Sequence, residues 1–411
     1  MLDYREPNEI PEEFRHLVSE RALRGETMLL NMGPQHPSTH GVLRLLLELD
    51  GEIIVNCIPD IGFLHTGIEK NMEAKRYQQA EVMTDRIDYM NNAMNNLVYC
   101  LALEKLTELD VPLRAQGIRV IVAELTRLSS HLLWLGTSGL DLGAMSIFMY
   151  AFRERELILD MLEMISGQRM MTTYIRPGGL WRDVPVEFED TLRNFIKIMP
   201  GRIAEYRGLL EKNPIFRDRT ISIGVINEEE CIRWGITGPI LRATGRAYDL
   251  RKVRPYSGYE QYDFEIPTHD GGDIFGRYFV RVNEMLQSVR ILEQALDKLP
   301  YGPVRSTNRK YVPPPRAELG VSMEALIHHF KLWTEGFKPP VGSVYTAVEG
   351  SHGELGVFME SNGSPKPMRV HFNTPSFINL QMLPLLTRGR FVADVVGIIA
   401  SIDIVLGDCD R

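Results

Sequence analysis

Two histidines four residues apart, His36 and His40, lie in the run Asn31-Met32-Gly33-Pro34-Gln35-His36-Pro37-Ser38-Thr39-His40-Gly41-Val42-Leu43-Arg44. Pro34 and Pro37 restrict φ, and Gly33 and Gly41 can take positive φ, so a rigid, irregular loop is expected. Such a loop can aim imidazoles, which donate, accept and carry protons near neutral pH. By residue type alone, the histidines could equally be structural supports at a sheet edge. Asp141, in Gly139-Leu140-Asp141-Leu142-Gly143-Ala144, reads by residue type as the cap of a helix beginning at Ala144. Geometry has to decide between these readings.

The rest of the chain narrows the classes. With 411 residues, 44% hydrophobic and 24% charged, it can bury a large core in one helix-rich body or in two or three domains. A net charge of -8 without a basic, aromatic-rich cluster argues against nucleic-acid binding. Residues 1–24 are charged throughout and show no signal-peptide pattern. The most apolar stretch, 391–406, is interrupted by Asp394 and Asp403, short of the roughly 20 apolar residues of a membrane span. Any membrane link is therefore expected to run through partners. Cys57, Cys100, Cys231 and Cys409 form no C-x-x-C pair, so no zinc or cluster site of this chain alone is readable. Isolated cysteines fit a reducing cytoplasm.

Several elements must position the histidine loop. Residues 42–49 and 52–58, split by Asp50-Gly51, read as a β-hairpin joined by 27–31 in a small antiparallel sheet. Residues 1–25 read as an N-terminal arm. Apolar residues at helical spacing predict one helical region over 77–106, a second helix over 113–134, and a third over 144–165 entered through a Gly136-Thr137-Ser138-Gly139 loop. Further helices are expected over 187–210 and 276–299. Successive helices apolar on more than one side imply a buried bundle. Residues 301–316, with Pro313-Pro314-Pro315, read as an exposed crossing segment, and 341–372 as a second small sheet. The expected class is α+β: a central long-helix bundle with small peripheral antiparallel sheets. The parts would be 1–66 (arm, hairpin and histidine loop), 67–300 (bundle), and 301–411 (crossing, second sheet and a C-terminal segment packing back on the bundle).

Leu64-His65-Thr66-Gly67-Ile68-Glu69-Lys70-Asn71-Met72-Glu73-Ala74-Lys75 resembles, almost position for position, the signature of one family. That family is the quinone-site D subunit (49-kilodalton type) of proton-pumping NADH:quinone oxidoreductase, respiratory complex I. The histidine loop, Arg86-Ile87-Asp88-Tyr89, Phe152-Arg153-Glu154-Arg155-Glu156, Tyr174-Ile175-Arg176-Pro177-Gly178-Gly179 and Gly407-Asp408-Cys409-Asp410-Arg411 carry the same resemblance, from about residue 28 to the last. It implies a translocase subunit, active only within a complex, that binds a quinone (menaquinone or ubiquinone). The iron-sulfur cluster would be held by a small partner subunit. Other peripheral-arm subunits and a membrane-arm subunit at the quinone entrance would be further partners, and the location would be peripheral, on the cytoplasmic face of the cell membrane. The fold it implies is that of the nickel-iron hydrogenase large subunit.

A quinone needs a donor at each carbonyl oxygen, because both oxygens gain charge and protons on reduction. The resemblance assigns these donors to His40 and Tyr89 and pairs Asp141 with His40, which would favour the imidazolium. It places His36, Ser38, Asp403 and Val405 in the pocket, and Thr66 and Met171 near the partner's cluster. Many members carry arginine at Thr66 and histidine at Met171, so both departures remove positive or protonatable character. The two Cys-x-x-Cys pairs of the hydrogenases fall on Asp88 and Asn91, and on Val405 and Asp408. Without thiolates a soft-metal site is not expected there, and the vacated cavity would take the headgroup. Arg153-Glu154-Arg155-Glu156 fits intra-helix ion pairs as well as a subunit interface. The alternatives are the equivalent subunit of a ferredoxin-fed quinone-reducing relative, or a non-catalytic scaffold subunit.

Overall fold

The computed structural model describes residues 3–5 and 14–411; of the expected N-terminal arm, residues 1, 2 and 6–13 lie outside the described residues. The first sheet is antiparallel throughout, in the order β1 (Asp3–Arg5), β2 (Met28–Met32), β3 (Arg44–Asp50), β4 (Ile53–Asp60). Strands β3 and β4 form the expected hairpin, with Gly51 at φ 64° in the turn. The leucines of β3 are buried on both faces because both are covered. Leu45, Leu47 and Leu49 join a core with Val395, Ile398 and Ile402 of the C-terminal segment, and Leu46 packs with Val18, Ala22 and Leu29.

The bundle comprises α1 (Ile68–Ala74), α2 (Tyr77–Thr84), α3 (Asn92–Thr107), α4 (Leu113–Asp141), α5 (Met145–Ser166), α6 (Val186–Leu210) and α7 (Ile274–Asp297). Leu97, Ile121, Leu125, Leu128, Leu132, Met285 and Leu292 are among its fully buried residues. A two-strand ribbon, β5 (Ile175–Arg176) with β6 (Gly179–Leu180), follows α5. Beyond α7 come α8 (Met323–Thr334) and a second three-stranded antiparallel sheet, β7 (Gly342–Glu349), β8 (Glu354–Ser361) and β9 (Arg369–Asn373), which packs on α3. The chain closes with α9 (Val392–Ile402), seated between the first sheet's core and helices α4 and α7, and α10 (Leu406–Asp410). The class is α+β, as the periodicities imply.

Two elements differ from the sequence expectation. The helical region over 77–106 is broken at 85–91. There Asp85 is buried and accepts from the Asn96 amide at 2.8 Å and from the Thr173 hydroxyl, and Asp88 accepts the N–H groups of Met90 and Asn91, both at 3.1 Å. Carboxylates that bind backbone donors replace the helical hydrogen bonds, and an apolar period does not reveal them. Conversely, residues 136–139 are not a loop, for α4 continues to Asp141. Gly139 serves close packing: a Cβ there would lie 2.0 Å from Cγ2 of Ile147 on α5. Asp141 is thus the last residue of α4 rather than the cap of α5, whose N-cap is Ala144.

Candidate functional site

The histidine loop is one turn of 3-10 helix, Pro37–Thr39, capped by His36, whose Nδ1 accepts the Ser38 N–H at 3.2 Å. That bond leaves the His36 proton on Nε2 and makes the residue part of the scaffold. Thr39 is fully buried and its hydroxyl donates to the carbonyls of Pro34 and His36, at 3.2 and 3.0 Å. Gly33, at φ 90°, admits the Leu43 carbonyl where a Cβ would stand only 2.2 Å from it. The turn packs on α9 and presents His40 in the left-handed region at φ 57°. His40 opens to solvent on one side yet is walled closely enough that desolvation lowers its pKa, opposed only by the charge of Asp403.

Tyr89 stands in the break between α2 and α3, half-buried, its phenol held up by burial and by the adjacent Asp88. The start of α10 is pressed against this break. A Cβ on Gly407 would lie 2.7 Å from the Ile87 carbonyl oxygen, 3.0 Å from that of Arg86 and 3.1 Å from Cε1 of Tyr89. Its neighbour Asp408 is fully buried, accepts the Ser376 N–H at 2.9 Å, and is pushed up to about 7 by burial and by Asp88. Val405, the N-cap of α10, is buried and donates its N–H to the Ser376 hydroxyl at 3.3 Å.

One residue absent from the sequence reading joins these parts. His352, 1% exposed in the turn between β7 and β8, lies between two carboxylates: Nε2 is 3.3 Å from Asp88 Oδ2 and Nδ1 is 3.0 Å from Asp403 Oδ2. The second contact is an ion pair whose angles miss a hydrogen bond. The two charges outweigh burial and raise the His352 pKa well above the ordinary value, so it is an imidazolium at neutral pH. Asp403 caps α9 in the left-handed region at φ 58° and is held down by His352 and by Arg281, 3.6 Å away. His352 went unnoticed because it stands in no spacing with a chemical meaning of its own, and Asp88 was marked only as a position where the hydrogenases carry a cysteine. The one cue was a histidine flanked by glycines, Gly350-Ser351-His352-Gly353.

The remaining candidates are placed as follows. Asp141 is partly buried, and desolvation pushes its carboxyl up to about 6; among the described residues no hydrogen bond or ion pair joins it to His40. Ser38 contributes its backbone N–H to the His36 cap. Thr66 is exposed, and its carbonyl accepts from the Asn71 amide at 3.1 Å. Met171, at φ 56°, leads into Thr172 and Thr173, which bond to Asn92 and Asp85 beside the Tyr89 break. The charge run on α5 is not paired within its helix alone. Glu154 is buried and receives the Tyr206 hydroxyl and Arg202 of α6, and Glu156 pairs with Arg169. Two clefts of about 620 and 630 Å³ lie elsewhere, and neither is lined by His40 or Tyr89. Among the described residues no group of three or more His, Cys, Asp or Glu side chains is arranged to hold a metal ion.

Four separate segments thus contribute an imidazole, a phenol, an imidazolium and three carboxylates, with several pKa values displaced. Such a concentration of displaced pKa values is common to enzyme sites that handle protons. A family model described as respiratory-chain NADH dehydrogenase, 49 Kd subunit, matches residues 141–411. The chain is 58% identical to a protein of Chloroflexus aurantiacus named as D subunit 2 of NADH-quinone oxidoreductase, over 99% of this chain and 100% of that one. It is 58% identical to D subunit 1 of the same enzyme in Roseiflexus castenholzii, over 96% of each chain. It is 52% identical to the D subunit of Thermus thermophilus, over 95% of this chain and 96% of that one. The chain belongs to the family of the 49-kilodalton subunit of respiratory-chain NADH dehydrogenase.

Proposed function

We propose that the chain is the quinone-site subunit of a proton-translocating NADH:quinone oxidoreductase, and that the headgroup binds between Tyr89 and His40. The names of its relatives support the reaction. The observation that carries the site is the line of charge Asp88–His352–Asp403, which runs from the Tyr89 break to the carboxylate acting on His40. The reading includes the fold of the nickel-iron hydrogenase large subunit, an iron-sulfur cluster in a small partner subunit on the Thr66 and Met171 side, and a peripheral position on the cytoplasmic face of the membrane. No helix of the described residues is long and apolar enough to cross a membrane, so attachment would come through partners. The open side of His40 suits a pocket whose other wall a partner supplies.

Reduction of a quinone to a quinol takes two electrons and two protons, one proton for each carbonyl oxygen. The electrons would come from the partner's cluster, and this chain's residues supply hydrogen bonds and protons. Tyr89, kept neutral by burial and Asp88, donates to one carbonyl and can release its proton as negative charge builds there. His40, neutral at rest, donates its N–H to the other; the same developing charge, together with Asp403, favours its imidazolium, which takes a proton from water, passes one to that oxygen and returns to the neutral ring. His352 holds a fixed positive charge behind both donors. Asp141 and Asp408, whose carboxyls burial pushes up toward neutral pH, can exchange protons under working conditions. A photoreactive quinone analogue applied to the assembled complex tests this reading. Label displaced by unmodified quinone should fall in 36–41, 86–91 and 403–408; displaceable label confined to other segments overturns it.

A further inference from the structure

Helix α8 carries its apolar residues outward. Met323, Leu326, Ile327, Phe330 and Trp333 recur at the spacing by which a helix buries one face. Yet they are 73, 46, 48, 64 and 59% exposed, and only Ala325 and Leu332 of this helix are buried. Val321, just before the helix, is 87% exposed. The stripe leads at Trp333 into the cleft of about 620 Å³ between α8, the β5–β6 ribbon and the proline-rich crossing, walled by Trp181, Tyr311, Leu332, Trp333 and Phe337.

The charged side chains of this hollow are Arg176, Arg305 and Arg316 against a single Glu81. Glu81, 1% exposed, lies 3.5 Å from Arg176. Arg305 donates to the Leu180 carbonyl at 3.0 Å, and among the described residues neither Arg305 nor Arg316 has a carboxylate within ion-pair reach. Gln78 Oε1, Glu81 Oε1 and Arg176 Nε are buried in its wall without a hydrogen-bond partner. A chain of net charge -8 therefore keeps a basic, aromatic-lined hollow next to an uncovered apolar stripe.

We propose that α8 and the adjoining hollow are the docking surface for an apolar, acidic segment of another subunit of the complex. Its apolar residues lie along Met323, Ile327 and Phe330, and its carboxylates meet Arg305 and Arg316. The proposal rests on the reading of this chain as one subunit of a larger assembly. Aromatic and arginine anchors in a concave site are what dominate protein–protein contacts. A lipid surface fits less well. The helix itself offers one Glu324 and one Lys331, with no excess of positive charge for anionic headgroups, and a bilayer surface would leave the hollow unfilled. A second copy of this chain would bring the same uncompensated arginines against each other.

The test uses the assembled complex with a photo-cross-linking residue, p-benzoylphenylalanine, at exposed position 330, and with Ile327→Asp and Arg305→Glu as separate variants. Expected is a cross-link from position 330 to one segment of a different subunit, a segment rich in Asp or Glu beside apolar residues. Its yield should fall at least tenfold in each variant. A cross-link to lipid, to a second copy of this chain or to a basic segment overturns the proposal. So does the absence of any cross-link in a preparation that still reduces quinone with NADH. Absence of co-purifying subunits and of that activity would instead overturn the underlying reading of the chain as a subunit.

Discussion

Nδ1 of His352 lies 3.0 Å from Oδ2 of Asp403, and through this contact a turn of the second sheet holds the C-terminal cap of α9. The opposite edge of the same ring reaches Asp88, one residue before Tyr89. Tyr89 is therefore tied through one buried cation to the carboxylate whose charge acts on His40, 49 positions away in sequence.

The first expectation concerns that cation. The groups facing it are Asp88, Asp403 and the Ser130 hydroxyl, with the charge of Asp408 close by. Its folded pKa is raised, so its stabilisation is complete below the unfolded value of about 6.5 and is lost as pH rises through the folded one. The complex should accordingly lose thermal stability on the alkaline side. His352→Gln leaves buried Asp88 without a counter-charge and Asp403 with Arg281 alone, at a cost of about 3–5 kcal/mol. It should also remove this part of the alkaline decline. Melting temperatures from pH 6 to 10 decide it: an unchanged alkaline limb in the variant rejects the assignment.

His40 should couple more strongly to Asp403 than to Asp141, because only Asp403 acts on its charge. In double-mutant cycles on quinone reduction, His40→Ala with Asp403→Asn should be far from additive, and His40→Ala with Asp141→Asn close to additive. The reverse order would place Asp141 as the direct partner.

Tyr89→Phe keeps the ring and removes one donor, leaving a carbonyl unpaired at about 1–3 kcal/mol. Quinone reduction should fall on the order of 10- to 100-fold, while electron transfer from NADH to an artificial acceptor persists. Full quinone activity would remove Tyr89 from the site.

Gly407→Ala puts a methyl group 2.7 Å from the Ile87 oxygen and 3.1 Å from the Tyr89 ring, so the Tyr89 break must move. The complex should assemble but reduce quinone slowly, with weaker quinone binding. Unaltered kinetics would mean that Tyr89 needs no exact placement.

Asp141 sits at a helix C-terminus, where a negative charge is disfavoured. Its carboxyl is raised to about 6, so folding disfavours the charged form and stability is lost as pH climbs from about 4 to 6. Asp141→Asn should raise the melting temperature above pH 6 and leave it unchanged below about pH 4. An equal shift at both ends would mean the effect is not electrostatic.

Local sequence was enough to specify the hairpin, the long helices and the departure of the histidine loop from regular strand or α-helix. Asp50-Gly51 makes a turn, apolar residues at helical spacing make a buried face, and two prolines with two glycines restrict a loop. The motifs also carried the family resemblance that the matched relatives bear out. Tertiary structure decided what depends on distant partners. The helix break at 85–91 exists because Asp85 finds Asn96 and Thr173, and α4 runs on through 136–139 because Gly139 lets α5 approach. The imidazolium of His352 exists because folding brings Asp88 and Asp403, 315 positions apart in the chain, to either side of one ring. A buried charge is stable only where its counter-charges stand, and no local pattern of residues encodes that meeting.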